Sequence, residues 1–212
     1  MDTVRKTVYL GIGPVGCGKG TQFGLLEERY GIKKIVMSDL LIARSKDGDE
    51  TGLLIKKTMD KGDLVPDPIV IEVLRQFLLS LDCDRFSLDG FPRSLIQAKA
   101  IVEELGRDFD IIPVLIEVDD ETSDKQIANR LKLALEENER RMRAGLEPLV
   151  IRADDQPEIR SERLKLYRKS EHGMVDYFDN NVPGKTRRIP GMARIEIVHD
   201  WIVDELGLLA SE

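Results

Sequence analysis

Cysteine, histidine and aromatic residues are scarce in this sequence, and long apolar runs are missing. Two cysteines, Cys17 and Cys83, occur in 212 residues, with neither the spacing of a metal site nor the density of a disulfide-stabilised scaffold. No apolar run approaches the roughly 20 residues that a membrane-spanning helix needs, and the N-terminus lacks the apolar stretch of a signal peptide. We therefore expect a cytoplasmic protein without membrane partners.

Basic residues are outnumbered by acidic ones, 32 against 39, which gives a net charge of −7. Unspecific nucleic-acid binding needs a basic surface, so we expect no nucleic-acid partner. A few focused arginines can nevertheless hold a phosphate group inside an acidic protein. The length suits one α/β domain with a small insertion, or two small domains.

Short apolar segments alternate with helical segments along the chain. The pattern predicts strands at 7–12, 35–36, 85–88 and 111–118, and helices at 21–30, 51–61, 68–80, 95–105, 123–144 and 156–178. Ser38 is predicted to cap a helix that has Asp39 in its first turn. Segment 195–198 is either a last strand or the start of a helix that ends at 206. This alternation is typical of a parallel sheet with helices on both faces.

Glycines and one lysine stand between the first predicted strand and the first predicted helix. Residues 13–21 read Gly-Pro-Val-Gly-Cys-Gly-Lys-Gly-Thr and fit the pattern G-x-x-x-x-G-K. Glycines let the backbone curl so that its N–H groups point at phosphate oxygens, and the helix adds its positive end. Lys19 is predicted to bridge the β- and γ-phosphates of a nucleotide during phosphoryl transfer. The alternative is a glycine-rich turn that binds nothing.

Four spaced motifs resemble those of the adenylate kinase family. They are Gly-Lys-Gly-Thr-Gln at 18–22, Gly-Asp-Leu-Val-Pro-Asp at 62–67, Leu-Asp-Gly-Phe-Pro-Arg at 88–93 and Arg-Ala-Asp-Asp-Gln at 152–156. The resemblance runs from about residue 7 to the C-terminus. It implies a P-loop NTPase-type three-layer α/β fold with five parallel strands. It divides one domain into a core (1–36, 66–131 and 156–212), a monophosphate-binding flap (37–65) and a short lid (132–155).

The resemblance also implies an activity. A nucleoside monophosphate kinase of this family moves a phosphoryl group from ATP–Mg to a nucleoside monophosphate, and we expect AMP as the acceptor and a monomeric enzyme. Mg²⁺ accompanies ATP, whereas structural zinc is excluded because the lid contains no cysteines. Two alternatives stay open: a nucleotide-binding relative with weak or altered acceptor specificity, such as UMP or CMP, and a P-loop kinase of a small metabolite.

The resemblance assigns roles to individual residues. Asp89 would hold Mg²⁺ through water, and arginines would match phosphate oxygens with paired N–H donors. The catalytic residues would be Lys19, Asp89, Arg93, Arg130, Arg152 and Arg163. ATP would be bound by Gly13, Val15, Gly16, Cys17, Gly18, Lys19, Gly20, Thr21, Arg130 and Gly191. The monophosphate would be bound by Met37, Ser38, Asp63, Leu64, Val65, Gly90, Arg93, Gln97, Arg152 and Arg163.

Each assignment has a plainer alternative. Asp89 could cap a turn, Gln97 could be an exposed helix residue, and arginines on helices are usually solvated. Asp154 and Asp155 either tether the lid or are simply acids at a helix N-terminus. Structural roles are expected for Cys17 in the loop and for the isolated histidines, His172 and His199.

The sequence departs from the family pattern near the acceptor. Met37-Ser38 stands where the family has Thr-Gly or Ala-Gly, Ile42 where it has arginine, and Ala134 where it has a lid arginine. Lys46 would share a helical face with Ile42, and arginines at 140, 141 and 143 could replace the lid arginine. A charge-assisted hydrogen bond is worth roughly 1.5–3 kcal/mol, so each loss weakens monophosphate binding by roughly ten- to a hundred-fold.

Overall fold

A five-stranded parallel sheet forms the centre of the protein. The structure, a computed structural model, describes residues 5–151 and 157–208. The strands lie in the order β2-β3-β1-β4-β5, and each pairing of neighbours is parallel. This arrangement confirms the predicted three-layer α/β fold. The strands are β1 (Lys6–Ile12), β2 (Lys33–Val36), β3 (Arg85–Asp89), β4 (Phe109–Glu117) and β5 (Arg187–Pro190).

Helices connect the strands and cover the sheet. The predicted helices are all present, and their ends agree with the predictions to within three residues. The described residues form α1 (Lys19–Tyr30), α2 (Met37–Arg44), α3 (Glu50–Asp60), α4 (Asp67–Leu79), α5 (Leu95–Leu105), α6 (Asp120–Arg143), α7 (Pro157–Asn181) and α8 (Ile195–Leu206).

The helical alternative for the segment from 195 to 206 is confirmed. The other alternative for it, and one predicted helix cap, are wrong. The alternative of a last strand at 195–198 fails because α8 begins at Ile195, and the fifth strand is the short, charged β5 at the sheet edge. An edge strand pairs on one side only and can be short and charged, so β5 carries little apolar signal. Ser38 does not cap α2, because Val36 is the N-cap residue and Ser38 lies inside the first turn beside Asp39, whose place is confirmed.

The apolar core lies on both faces of the sheet. Alternate residues of a strand point to opposite faces, and accordingly Leu10 belongs to one buried cluster while Tyr9 belongs to the other. The first cluster receives residues from α4, α5 and α7, and the second receives residues from α1 and α8, such as Phe23 and Ile202. Complete burial of a side chain such as Leu10 stabilises the fold by roughly 1.5–3 kcal/mol.

The carboxyl ends of the strands meet at one edge of the sheet because the strands are parallel. This edge is where open α/β sheets bind ligands. The loop after β1, the acidic end of β3 at Asp89 and the turn after β5 are thereby brought together. Among residues 5–151 and 157–208, no helix is both long enough and apolar enough to cross a membrane.

Candidate active site

A cleft of about 760 Å³ opens at the carboxyl edge of the sheet. Its charge is opposite to that of the whole chain, because the described lining contains six basic side chains and one carboxylate although the protein carries −7. Such a concentration of positive charge attracts a polyanion. The charged lining residues are Lys19, Lys34, Arg93, Arg130, Arg163, Arg194 and Asp89.

The glycine-rich loop between β1 and α1 forms one wall of this cleft. Gly16 has a φ of 87°, and a Cβ there would lie 2.7 Å from Ile127 Cγ1 and 2.8 Å from the Ser123 carbonyl oxygen. Only glycine therefore allows α6 to approach the loop this closely. Ser123 is fully buried, and its hydroxyl donates to the Val15 carbonyl at 2.5 Å. The predicted ATP-binding residues that line the cleft are Gly13, Val15, Gly16, Cys17, Gly18, Lys19, Gly20, Thr21, Arg130 and Gly191.

The Lys19 ammonium is folded back over this loop. Its Nζ donates to the carbonyls of Gly13 at 2.5 Å and Pro14 at 2.9 Å, and it lies 3.2 Å from Cys17 Sγ. Charged acceptors bind an ammonium more strongly than neutral carbonyls do. A phosphate that entered the loop would therefore compete well for Lys19. Cys17 is 3% exposed, which agrees with a structural role for its side chain.

Asp89 places a carboxylate at the end of β3, facing the start of α1. Its side chain is 17% exposed, and its Oδ2 lies 3.6 Å from Lys34 Nζ. Mg²⁺ usually takes one or two protein carboxylates and completes its shell with waters and substrate phosphates. The one carboxylate in the described part of the cleft lining fits a magnesium ion that arrives with a nucleotide. The described residues form no cluster of three or more potential metal ligands.

Three of the predicted arginines converge on the cleft from different elements. Arg93 follows β3, Arg130 lies on α6 and Arg163 lies on α7. The Arg93 guanidinium donates to the Gly90 carbonyl at 2.9 Å, and the Ser170 hydroxyl donates to the Arg93 carbonyl at 3.2 Å. Arg152, together with Asp154 and Asp155, lies outside the described residues.

The arginines predicted as replacements for the missing lid arginine do not line the cleft in this structure. They lie near the end of α6, and ten residues of helix separate Arg130 from the first of them by about 15 Å. Arg140 pairs with Glu137, Arg143 pairs with Glu139, and Arg141 donates to the Glu147 carbonyl at 2.7 Å.

Gln97 organises the turn that carries Arg93. Its Oε1 accepts the Arg93 backbone N–H at 2.7 Å, and its Nε2 donates to Asp67 Oδ1 at 2.6 Å. The side chain is 5% exposed. The alternative of an exposed helix residue is therefore wrong. Base recognition by Gln97 stays a prediction, and the structure shows its amide engaged with Asp67 and Arg93.

Of the remaining residues predicted to bind the monophosphate, some line the cleft and others do not. Leu64 and Gly90 line the cleft. Met37 and Val65 are buried in the core beside Leu41, at 2% and 7% exposure. Ser38 and Asp63 are not part of the cleft lining. The assigned contacts of these other residues with a monophosphate stay predictions.

Ile42, at the family's arginine position, is 43% exposed on α2. The prediction that Lys46 shares a helical face with Ile42 is wrong, because α2 ends at Arg44. Arg44 is engaged elsewhere: its guanidinium donates to both carboxylate oxygens of Asp49, at 2.8 and 2.7 Å. This pair of hydrogen bonds lowers the pKa of Asp49 to about 2.

Several cleft residues were not predicted from the sequence. Lys34 was missed because the second strand was predicted to begin at Ile35, whereas β2 begins at Lys33. A strand that started two residues earlier would have placed Lys34 on the same face as Val36, beside the β3 end. The other missed lining residues include Gln126, Asn129, Leu133, Tyr167 and Arg194.

Comparison with known proteins agrees with this geometry. A family model described as "Adenylate kinase" matches residues 11–182. The chain belongs to the adenylate kinase family. It is 36% identical over 207 residues to the adenylate kinase of Leptospira biflexa, which covers 96% of this chain and 100% of that relative. The adenylate kinase of Syntrophotalea carbinolica is 35% identical over 212 residues, which covers 92% of this chain and 96% of that relative.

A third relative belongs to the same family. The adenylate kinase of Methanosarcina barkeri is 35% identical over 180 residues, which covers 78% of this chain and 83% of that relative. The protein is therefore a nucleoside monophosphate kinase in type, a phosphotransferase that acts between nucleotides, and members of this family use Mg²⁺ with ATP.

Proposed function

We propose that this adenylate kinase family member transfers the γ-phosphoryl group of ATP–Mg to AMP, with two ADP molecules as products. The observation that supports this proposal is the convergence of one phosphate loop, one strand-end carboxylate and a ring of basic side chains on a single cleft. The name of the relatives, adenylate kinase, favours AMP as the acceptor.

Phosphoryl transfer needs no nucleophilic side chain, because catalysis rests on in-line positioning and on neutralising charge at the phosphate oxygens. Lys19 would bind the β- and γ-phosphates of ATP. Arg93 would bind the acceptor phosphate, and Arg130 and Arg163 would neutralise charge on the phosphoryl group in transit. Asp89 would hold Mg²⁺ through water, and the ion would add positive charge at the nucleotide oxygens.

The predicted flap (37–65) and lid (132–155) would close over the bound nucleotides. Closure excludes water, which would otherwise accept the phosphoryl group. The lid half of α6 carries Arg140 and Arg143 in ion pairs with neighbouring glutamates. These pairs are exposed and therefore weak, so the same arginines are available to a closed state.

A second candidate function is altered acceptor specificity. It is favoured by Ile42, which stands on α2 where the resemblance places a phosphate-binding arginine. Under this alternative the enzyme binds ATP normally but uses AMP poorly, or prefers a pyrimidine monophosphate.

A coupled assay of ADP formation tests the proposal. ATP–Mg is combined with AMP, dAMP, GMP, CMP or UMP in turn, and a reaction without acceptor measures hydrolysis. We expect kcat/KM for AMP to exceed the values for the other acceptors at least tenfold. A preference for UMP or CMP would select the second candidate. ADP formation at the hydrolysis level with all acceptors would overturn both.

A further inference from the structure

Lys34 is a basic cleft residue to which the proposed phosphate contacts give no role. It lies on β2, whose Val36 pairs with Asp89 at the end of β3. Because side chains two residues apart in a strand share a face, Lys34 reaches toward the same end of β3. Its side chain is 20% exposed and lines the cleft.

The Lys34 ammonium joins the start of α1 to the end of β3. Its Nζ donates to the Gly20 carbonyl at 2.6 Å and lies 3.6 Å from Asp89 Oδ2. Gly20 makes room for this arrangement, since a Cβ there would lie 3.0 Å from Asp89 Oδ2 and 3.5 Å from Lys34 Nζ. The Lys34 side chain thus occupies one side of the Asp89 carboxylate.

We propose that Lys34 is a positioning residue that acts as the internal counter-ion of Asp89 and raises the Mg²⁺ concentration needed for tight nucleotide binding. The inference rests on the proposed function, in which ATP–Mg enters this cleft. An ammonium beside Asp89 reduces the net negative charge offered to a divalent cation and repels that cation directly. The same ammonium attracts metal-free ATP, whose phosphates carry more negative charge than those of ATP–Mg.

Opposite effects on the two forms of ATP distinguish this role from a merely structural one. Loss of the Lys34 charge weakens binding of metal-free ATP and leaves Asp89 free to support ATP–Mg. A lysine that only tied β2 to α1 would, when removed, weaken both forms in parallel. The ratio of Kd without metal to Kd with saturating Mg²⁺ is therefore the decisive quantity.

Titration calorimetry with ATP measures this ratio, in EDTA and at a series of Mg²⁺ concentrations. In Lys34→Gln we expect the ratio to rise about tenfold. The Mg²⁺ concentration that gives half of the metal-dependent gain in ATP affinity should fall by a similar factor. Lys33→Gln is the matched control, because Lys33 is the adjacent, exposed residue of the same strand and does not line the cleft. It removes the same charge and is expected to leave the ratio unchanged.

Two more variants keep the test decisive. Lys34→Arg retains the charge and is expected to keep the parental ratio, whereas Lys34→Met removes the charge, retains an apolar stem and is expected to behave as Lys34→Gln. An unchanged ratio in both uncharged variants would overturn the inference, as would an equal change in Lys33→Gln. If the parental protein binds ATP and the Lys34 variants bind it equally well, the inference fails and the proposed function stands. If the parental protein does not bind ATP, the inference and the proposed function both fail.

Discussion

Replacing Ile42 by arginine is expected to strengthen AMP binding without harming the fold. Ile42 is 43% exposed near the end of α2, so its removal forfeits little burial. Arginine is also a slightly better helix former than isoleucine. We therefore expect the free energy of unfolding to change by no more than about 0.5 kcal/mol, as is usual for surface substitutions.

The expected gain in affinity follows from the charge that the flap lacks. One charge-assisted hydrogen bond is worth roughly 1.5–3 kcal/mol, which corresponds to roughly a ten- to a hundred-fold change in Kd. Because the site on α2 is partly exposed to water, the lower part of this range applies. Neighbouring Arg44 does not already supply the contact, since its guanidinium is engaged by Asp49.

Steady-state kinetics with AMP and with ATP measure this effect. We expect KM for AMP to fall about tenfold in Ile42→Arg, with KM for ATP unchanged. Ile42→Lys adds the charge without the paired donors of a guanidinium, so its gain should be smaller. Leu53→Arg is a matched control, because Leu53 is 59% exposed on α3 within the same predicted flap. An unchanged KM for AMP, or an equal fall in Leu53→Arg, would refute the reasoning.

Three further perturbations test other parts of the site. Lys19→Met removes the ammonium over the phosphate loop and should lower kcat about 100-fold or more, with the thermal unfolding transition retained. Gly20→Ala should weaken ATP–Mg binding in calorimetry, because the added Cβ would lie 3.0 Å from Asp89 Oδ2. The control is Gly24→Ala in the same helix, whose Cβ would meet nothing within 4 Å and which should stabilise the fold by up to about 1 kcal/mol. Burial lowers the pKa of His199 below its ordinary value of 6.5, so the unfolded state binds more protons below about pH 6.5 and the free energy of unfolding falls there. The thermal unfolding midpoint should therefore change less between pH 7.5 and pH 5.5 in His199→Asn than in the parental protein.

Each of these predictions has a contrary result. A rate within tenfold of the parental value in Lys19→Met would exclude the assigned phosphate contact. Equal ATP–Mg affinity in Gly20→Ala and Gly24→Ala would mean that Asp89 tolerates the added methyl group. An identical pH slope in His199→Asn would assign the acid sensitivity to carboxylates.

The sequence predicts elements well where apolar periodicity is strong. The bounds of α5 agree with its prediction, and buried β1 and β4 agree to within two residues. β5 was missed because a four-residue edge strand with two arginines and a proline carries no apolar run. Helix caps were harder, since the backbone turns into α2 at Val36 without a capping side chain and Ser38 is the second residue of the helix.

The sequence predicts cleft-lining residues where their arrangement is local and misses them where it depends on strand register. The spacing of glycines and Lys19 predicts the loop directly, because the Lys19 ammonium contacts Gly13, Pro14 and Cys17, all within six residues of it. Lys34 joins the cleft only through the pairing of β2 with β3, which brings together residues more than 50 positions apart in the chain. Gln97 likewise takes its amide partner from Asp67, 30 residues away.

The departures from the family pattern remove positive charge at two positions. Two arginines of that pattern are replaced by Ile42 and Ala134, whereas Lys34 and Arg194 are basic and line the cleft. Lys34 contacts Gly20 in the first turn of α1, and the chain beside Arg194 is tied to α1 through a hydrogen bond to the Ile195 carbonyl. The Lys34 ammonium and the backbone next to Arg194 therefore both lie beside the start of α1. Under the proposed function the acceptor side lacks a guanidinium that the family pattern supplies, which is why a guanidinium restored at Ile42 should act on AMP and leave ATP unaffected.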